Sequence, residues 1–155
     1  MQAAYRIFKT KFSKTWSDGE GAFVYGGRWN SRGSRVLYTA GSLSLAALEI
    51  LVNLNSAELL SSYSYAKVEF EEKDVLPVEE LVKPPKNWSA SPPPSAVQRI
   101  GDEWAGSMQS LVLRVPTSVV PGEFNFLLNV GHPRFATIKR EKPRLFRFDE
   151  RLYNK

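Results

Sequence analysis

The stretch GGRWNSRGSRVLY, residues 26–38, places an arginine directly after two glycines and directly before a tryptophan and an asparagine. The guanidinium of Arg28 presents a planar fork of donors that matches phosphate or pyrophosphate oxygens. The two preceding glycines allow the main chain to approach a ligand closely or to adopt positive φ. Glycine pairs also mark turns, so the same residues fit a hairpin with a surface arginine.

A carboxylate follows in a setting where carboxylates are rare. Glu49 is the only charged residue between Arg35 and Glu58, and it lies inside the apolar run SLSLAALEILVNL. An uncompensated carboxylate in apolar surroundings is costly, so we expect Glu49 to be paired, to be neutral or to face a cleft. An internal ion pair explains such a residue more often than a catalytic role does, and Arg28 is the obvious cation for it.

Aromatic and amide side chains accompany these two charged residues. Tyr38 lies between Arg28 and Glu49, where its ring could stack on a base or on nicotinamide while its hydroxyl forms hydrogen bonds. A tyrosine in a strand is more often simply a core residue. Trp29 and Asn30 could line the same pocket, although Trp29 also suits a core position and Asn30 an Asx-turn.

Residue usage excludes several kinds of chemistry. The chain contains no cysteine and a single histidine, His132. Disulfides, thiolate nucleophiles and the usual zinc sites are therefore not available, no metal site is expected, and His132 is expected to be structural. The net charge of +5 suits an anionic partner such as a nucleotide, RNA or an acidic protein segment. Apart from KREKPR the basic residues are scattered, which favours a small anionic ligand.

Composition indicates one ordinary globular domain. The 155 residues are 43% hydrophobic and 24% charged, and we expect a single domain over residues 1–155. No apolar run is long enough to cross a bilayer, and MQAAYRIFKTKF alternates charge and hydrophobe where a signal peptide would be continuously apolar. We therefore expect a soluble, cytoplasmic protein without a membrane partner.

The elements that must position these residues are mostly strands. Alternating apolar and polar residues predict strands at AAYRIF, RVLYTA, YSYAKVEF, SLVLRV, EFNFLLNV and PRLFRFDERLY. Strands and helices intermix without regular βαβ spacing and without a strand followed by GxGxxG. The sequence therefore predicts an α+β fold with a mixed, mostly antiparallel sheet and flanking helices, and not a Rossmann fold.

Two helices and two long loops complete the prediction. A helix is predicted over SLSLAALEILVNL, with Ser42 or Ser44 as N-cap; because it is apolar nearly all round, we expect it to be central and buried. Ser95 is predicted to cap a second helix. One face of that helix carries three apolar residues, Val97, Ile100 and Trp104. Residues 9–27 and the proline-rich residues 74–96 are predicted as loops.

Four segments together resemble the RES domain, the toxin of RES-Xre toxin-antitoxin systems. They are GGRWNSRGSRVLYTAGSLSLAALEILVNL, LVLRVPTSVVP, EFNFLLNVGHP and PRLFRFDERL, and the resemblance runs nearly from Tyr5 to Leu152. The signature arginine, tyrosine and glutamate of the family fall on Arg28, Tyr38 and Glu49, which the resemblance therefore implies as catalytic residues. It also implies a fold similar to that of ADP-ribosyltransferase toxins.

Further residues are predicted to bind the substrate. Thr117 stands where the family commonly has a serine after Val-Pro, and Ser118 follows it; Val130 replaces the proline that usually follows Asn129. The predicted substrate-binding set is Gly27, Trp29, Asn30, Thr117, Ser118 and Asn125.

The activity that the resemblance implies is consumption of NAD, which is the substrate and not a cofactor. The reaction would be phosphorolysis with inorganic phosphate as co-substrate, hydrolysis, or ADP-ribosylation of a protein. Cleavage of the nicotinamide-ribosyl bond passes through an oxocarbenium-like state and releases neutral nicotinamide, so one carboxylate and one anion-binding group can suffice. We expect Arg28 to grip the pyrophosphate or an incoming phosphate, and Glu49 to orient ribose hydroxyls and stabilise the developing positive charge.

The resemblance also implies a partner. A cognate antitoxin with an Xre-type DNA-binding domain would block the NAD cleft with its C-terminal segment, and a homodimer within such a complex is one option. Nothing in this chain matches a helix-turn-helix, so direct DNA binding is not expected. The alternative from another class is a basic RNA-binding module that uses Arg28, Trp29 and Tyr38 as a stacking platform.

Overall fold

One mixed sheet forms the centre of the molecule. The computed structural model describes residues 1–55 and 57–154. Within those residues the strands are β1 (Gln2–Lys9), β2 (Val36–Ala40), β3 (Tyr63–Phe70), β4 (Val75–Pro77), β5 (Val112–Pro116), β6 (Phe124–Asn129), β7 (Lys139–Arg140) and β8 (Arg144–Phe146). The spatial order is β4-β5-β6-β2-β1-β3-β7, with β8 also paired to β3. Only the β4–β5 pair is parallel among the described pairings, so the predicted α+β class with a mostly antiparallel sheet is confirmed.

Helices flank the sheet. They are α1 (Glu20–Tyr25), α2 (Leu43–Asn53), α3 (Val78–Leu81) and α4 (Ser95–Ser107). The sequence predicted α2 and α4 but not α1 and α3, which lie in the two segments predicted as loops. Glycines with left-handed φ bound α1, at Gly19 (φ 71°) and Gly26 (φ 75°). A helix this short lacks a full apolar repeat, so the turn residues at its ends dominate the pattern.

Helix α2 differs from its prediction in burial. Ser42 is its N-cap, as predicted, and accepts a hydrogen bond from the Leu45 main-chain N–H at 3.1 Å. The expected central position is wrong, because Leu48 is 41% exposed and Val52 is 62% exposed. The helix packs on β1 and β2, and its buried residues are Leu45 and Ala46. Its opposite face is left open, and this places Glu49 at a cavity edge instead of inside the core.

The sheet is buried on both sides where the site is built. Leu127 and Leu128 are consecutive in β6 and both fully buried, and they belong to apolar clusters on opposite faces of the sheet. Val97 and Trp104 of α4 pack in one of these clusters. Pro94 is the N-cap of α4, so Ser95 is its first residue and not its cap. Burial on both faces explains the nearly continuous apolar runs of the central strands.

Strands β1 and β2 separate soon after they meet. β1 pairs with β3 along its whole length, and β2 pairs with β6 along its whole length. Between β1 and β2 the described pairing is confined to Tyr5 opposite Ala40. Beyond that pair the side chain of Arg6 crosses the gap, and its Nη1 donates to the carbonyl of Tyr38 at 3.1 Å. The split places a charged side chain between two strands of the sheet.

Candidate active site

A cavity of about 610 Å³ collects most of the predicted site residues. It lies among the glycine-rich segment after α1, the open face of α2 and the segment before α4. Seven of the nine predicted residues line it: Gly27, Arg28, Trp29, Tyr38, Glu49, Ser118 and Asn125. Residues far apart in the chain therefore meet at one opening.

The carboxylate of Glu49 is held by two neutral donors. Thr117 Oγ1 and Asn125 Nδ2 each donate to Glu49 Oε1 at 2.8 Å. Burial raises the pKa of Glu49, and the hydrogen bonds from Asn125 and Thr117 lower it by less. Among the described residues no protein donor reaches Oε2, which leaves one carboxylate oxygen for a ligand. This geometry suits stabilisation of positive charge on a bound molecule.

The ion pair between Arg28 and Glu49 is not formed. None of the ion pairs within residues 1–55 and 57–154 includes either side chain. Arg28 Nη1 instead donates to the carbonyls of Trp88 and Ala90, at 3.0 and 2.7 Å. These acceptors carry no net charge, so the guanidinium at the cavity wall keeps its capacity to bind an anion.

The two glycines before Arg28 have different functions. Gly26 has φ 75°, in the left-handed region that favours glycine. Gly27 gives clearance: a Cβ there would lie 2.6 Å from the Tyr38 hydroxyl and 3.0 Å from Asn30 Oδ1. Gly27 also donates its N–H to the Asn30 carbonyl at 2.9 Å, closing a tight turn. The segment is thus a turn that places Arg28 at the cavity wall, and the binding of an anion by Arg28 stays a prediction.

We expect Gly27→Ala to destabilise the protein by about 1–3 kcal/mol, because the added methyl group meets a rigid, hydrogen-bonded tyrosine. Urea unfolding of both proteins measures the difference. Gly21→Ala is the matched control, since a Cβ at Gly21 meets nothing within 4 Å. Equal unfolding midpoints for the two variants would contradict the close contact at Gly27.

Tyr38 supports the arginine loop as well as lining the cavity. Its hydroxyl donates to Asn30 Oδ1 at 2.6 Å and accepts the Trp29 main-chain N–H at 3.0 Å. Burial is the main cause that raises the pKa of Tyr38 far above its ordinary range. The phenol is therefore a neutral donor, and it does not serve as a general base near neutral pH.

Two predicted binding residues do not reach the cavity. Asn30 has no exposed surface; its Nδ2 donates to the carbonyls of Ala22 and Ser31, at 3.0 and 2.9 Å. Thr117 is 5% exposed, and its hydroxyl donates its hydrogen bond to Glu49. The prediction that Asn30 and Thr117 contact substrate does not fit this structure. Both are better described as supports, Asn30 for the Tyr38 hydroxyl and Thr117 for the carboxylate.

The ring of Trp29 belongs to the core. Trp29 is 2% exposed and stacks on Trp88 with ring centroids 6.0 Å apart. An aromatic platform for single-stranded RNA needs exposed rings, so the platform of Arg28, Trp29 and Tyr38 does not fit this arrangement. The part of Trp29 that reaches the cavity wall contributes shape. Contact between Trp29 and a substrate stays a prediction.

Arg6 is a site residue that sequence reasoning missed. It lines the cavity beside Tyr38 and Glu49, and burial lowers its pKa. A guanidinium nevertheless stays protonated in proteins. Its Nε has no hydrogen-bond partner among the described residues. A charged residue in the middle of the half-buried strand AAYRIF was the available signal.

Tyr25 and Gln98 also line the cavity without having been predicted. Tyr25 is 79% exposed at the end of α1, where its ring forms part of the cavity rim. Gln98 Nε2 donates to the Gly27 carbonyl at 2.9 Å. Neither residue type is distinctive within its local sequence, so the pattern alone gave no reason to select them.

The remaining predictions concern metals, His132 and membranes. His132 does not line the cavity; its Nδ1 accepts the Arg134 main-chain N–H at 3.0 Å, in keeping with a structural role. Over residues 1–55 and 57–154 no group of three or more His, Cys, Asp or Glu residues is arranged to hold a metal ion. In the same part of the chain no helix combines the length and apolar character needed to span a bilayer.

Comparisons with known proteins indicate the family of the chain as a whole. The model of the RES domain matches residues 3–149. A protein named Toxin Res from Yersinia enterocolitica is 40% identical over 153 residues, covering 96% of this chain and 97% of the relative. The Prs ADP-ribosylating toxin of a Sphingobium species is 37% identical over 140 residues, covering 88% of this chain and 86% of the relative.

A solved structure agrees with the fold. The crystal structure of the M. tuberculosis MbcT-MbcA toxin-antitoxin complex contains a chain that superposes with a TM-score of 0.77 at 18% sequence identity, over 94% of this chain and 84% of that chain. At this identity the likeness concerns the fold alone. The match of the family model, which covers nearly the whole sequence, and the identity with Toxin Res decide the assignment: the chain belongs to the RES domain family.

Proposed function

We propose that this protein is the toxin of a toxin-antitoxin system and that it is an enzyme that cleaves the nicotinamide-ribosyl bond of NAD. One observation carries the proposal: a carboxylate with a free oxygen, on Glu49, lines the same cavity as two arginines, Arg6 and Arg28. A dinucleotide with two phosphates and a reacting ribose needs this combination of charges. The toxin names of the relatives support the same conclusion.

The reaction follows from these groups. The bond between the anomeric carbon and the nicotinamide nitrogen breaks, and its electron pair leaves with neutral nicotinamide. The ribose then carries oxocarbenium character, which the Glu49 carboxylate stabilises. In hydrolysis the oxygen of water forms the new bond to the anomeric carbon and gives up a proton to solvent. In phosphorolysis an unprotonated, anionic oxygen of inorganic phosphate forms that bond, so the attacking oxygen has no proton to lose. Arg28, with Arg6 lining the same cavity, binds the pyrophosphate or the attacking phosphate.

Product analysis tests this proposal. Purified protein is incubated with NAD with and without inorganic phosphate, and the products are resolved by mass. ADP-ribose that forms without phosphate indicates hydrolysis, and an ADP-ribose phosphate that forms only with phosphate indicates phosphorolysis. Absence of nicotinamide release under both conditions, in the presence of candidate protein acceptors, would refute cleavage of this bond.

Protein ADP-ribosylation is the second candidate. It is supported by the Sphingobium relative, whose name describes an ADP-ribosylating toxin. The bond that breaks is the same, and a protein side chain replaces water or phosphate as the acceptor. Transfer of the ADP-ribose mass to a protein in a lysate would distinguish this reaction, because hydrolysis and phosphorolysis leave the label on a small molecule.

The pH dependence should report the environment of Glu49. Since burial raises its pKa, and the ionised form is the one that stabilises positive charge, we expect kcat/KM to fall as pH decreases through that raised value. Asn125→Ala removes a hydrogen bond that lowers the pKa, so the acid limb should move to higher pH. Initial rates over a series of pH values measure the acid limb of the kcat/KM profile for the wild type and for Asn125→Ala.

Asn53→Ala provides the control for that series. Asn53 also lines the cavity, but its Nδ2 donates to the main-chain carbonyl of Glu49 at 2.8 Å and not to the carboxylate. Its acid limb should stay at the wild-type position. An acid limb of Asn125→Ala at or below the wild-type pH would contradict the role of the carboxylate.

We also propose that an antitoxin protein inhibits this chain, in keeping with the toxin-antitoxin complex that shares the fold. The open cavity mouth, with the exposed Tyr25 and Val52 on its rim, is the surface that such a partner would cover. We further propose that this antitoxin carries an Xre-type DNA-binding domain. Mixing purified antitoxin with the enzyme should stop NAD consumption in proportion to the amount bound.

A further inference from the structure

Helix α4 lies directly against the loop that carries Arg28. Gln98, Gly101 and Asp102 are spaced i, i+3 and i+4, so they share one face of the helix. All three meet residues 27–34 of the loop. The next turn of α4 is anchored in the core, where Trp104 is 1% exposed. The loop therefore rests on a firmly packed element.

The approach between helix and loop is too close for any residue except glycine at position 101. A Cβ on Gly101 would lie 1.6 Å from the Trp29 carbonyl oxygen. Helix backbone and loop backbone are consequently in direct contact. The polar residues on either side of Gly101 along this face can then reach main-chain atoms of the loop.

Both carboxylate oxygens of Asp102 accept hydrogen bonds from the loop. Its Oδ1 accepts the Ser31 main-chain N–H at 2.9 Å and the Ser34 hydroxyl at 3.0 Å, while Oδ2 accepts the Ser31 hydroxyl at 2.5 Å. None of the ion pairs in the described part of the chain includes Asp102. Hydrogen bonds to a charged acceptor are stronger than neutral ones, so this carboxylate fixes the loop after Arg28.

Gln98 fixes the loop before Arg28. Its Nε2 donates to the Gly27 carbonyl at 2.9 Å, and Gln98 itself lines the cavity. Arg28 is thus held between two points, one at the preceding residue and one three residues later at Ser31. Its guanidinium extends from a segment whose two ends are bonded to the same helix.

We propose that Asp102 and Gln98 are positioning residues, which set the direction of the Arg28 side chain for the reaction; this inference rests on the proposed NAD cleavage. Asp102 does not line the cavity and acts through the loop alone. Displacement of a substrate-positioning group by about 1 Å can cost on the order of 10²-fold in rate. The alignment of Arg28 therefore depends on α4 as much as on the loop itself.

The test compares Asp102→Asn with Glu103→Gln. Both replace a carboxylate by an amide on α4, but Glu103 is exposed, and within residues 1–55 and 57–154 no ion pair includes it. We expect KM for NAD to rise about tenfold or more in Asp102→Asn. The change in kcat should be smaller than the change in KM. Rates are expressed per folded molecule. Glu103→Gln should retain the wild-type KM.

A double-mutant cycle separates positioning from general destabilisation. Arg28→Lys retains a cation of different shape, so a variant that acts through the guanidinium should have little further effect in that background. If Asp102→Asn raises KM by the same factor with Arg28 and with Lys at position 28, or leaves KM unchanged, the positioning role is wrong. A lowered unfolding temperature alone would not produce the expected coupling.

Hydrogen exchange provides a readout that does not depend on turnover. Amides in residues 26–34 should exchange faster in Asp102→Asn than in wild type or Glu103→Gln, because the Ser31 N–H loses a charged acceptor. If wild-type protein consumes no NAD, the proposed function fails and the loop attachment is decided by exchange. Unchanged exchange in residues 26–34 overturns the inference in either case.

Discussion

Glu49→Gln is expected to lower the kcat for NAD cleavage by about 10²–10³-fold and to leave the fold intact. The amide has nearly the same shape, and its oxygen can still accept from Thr117 and Asn125. What is lost is the negative charge that faces the developing oxocarbenium. The loss belongs in kcat, because the ground-state ribose carries less positive charge at the anomeric carbon than the transition state does.

The measurement is nicotinamide release by chromatography, with circular dichroism to verify folding. Glu123→Gln is the matched control, since Glu123 is exposed, lies outside the cavity and undergoes the same loss of charge. A Glu49→Gln protein that is folded and turns over NAD within twofold of wild type would refute the proposed role of the carboxylate.

Arg28→Ala is expected to raise KM for NAD by roughly 10²-fold. Hydrogen bonds to charged groups contribute about 1.5–3 kcal/mol each, and 1.4 kcal/mol corresponds to about tenfold in binding. Two bonds to a phosphate group would therefore account for the expected change. Arg28→Lys should recover part of the loss, because an ammonium keeps the charge without the planar fork.

Initial rates over a range of NAD concentrations separate KM from kcat. Arg32→Ala is the control, because Arg32 is an exposed arginine on the same loop that does not line the cavity. If Arg28→Ala and Arg32→Ala change KM equally, the effect of Arg28 is one of general charge. The proposal that its guanidinium grips an anion would then fail.

The sequence predicted the residues with unusual local surroundings. Arg28 after two glycines and Glu49 within an apolar run were both conspicuous, and the structure brings both to one cavity. Six of the eight described strands, β1, β2, β3, β5, β6 and β8, were predictable for a similar reason, since alternation over a few residues is a local property. The three-residue β4 and the two-residue β7 were not predicted, and only Arg144–Phe146 of the predicted strand PRLFRFDERLY is a strand. The exposed face of α2 was not, because an apolar helix surface does not show whether another element covers it.

The partners of Glu49 could not be predicted from local pattern. Asn125 reaches Glu49 because β6 pairs with β2 in a register that sets Asn125 opposite Ala40, just before α2 begins. Such a register depends on the packing of the whole sheet. Arg6 was missed for a comparable reason: the gap that exposes it exists only because β1 and β2 separate.

The two acceptors of the Arg28 guanidinium have a consequence for how the sequence of this protein can vary. Both are main-chain carbonyls, of Trp88 and Ala90, so any side chain at position 90 leaves that acceptor in place. The length of the segment that contains Trp88 and Ala90 is constrained, because one insertion or deletion would move both carbonyl oxygens relative to the guanidinium. Homologous proteins should therefore tolerate changes of residue type at position 90 while keeping the segment length constant.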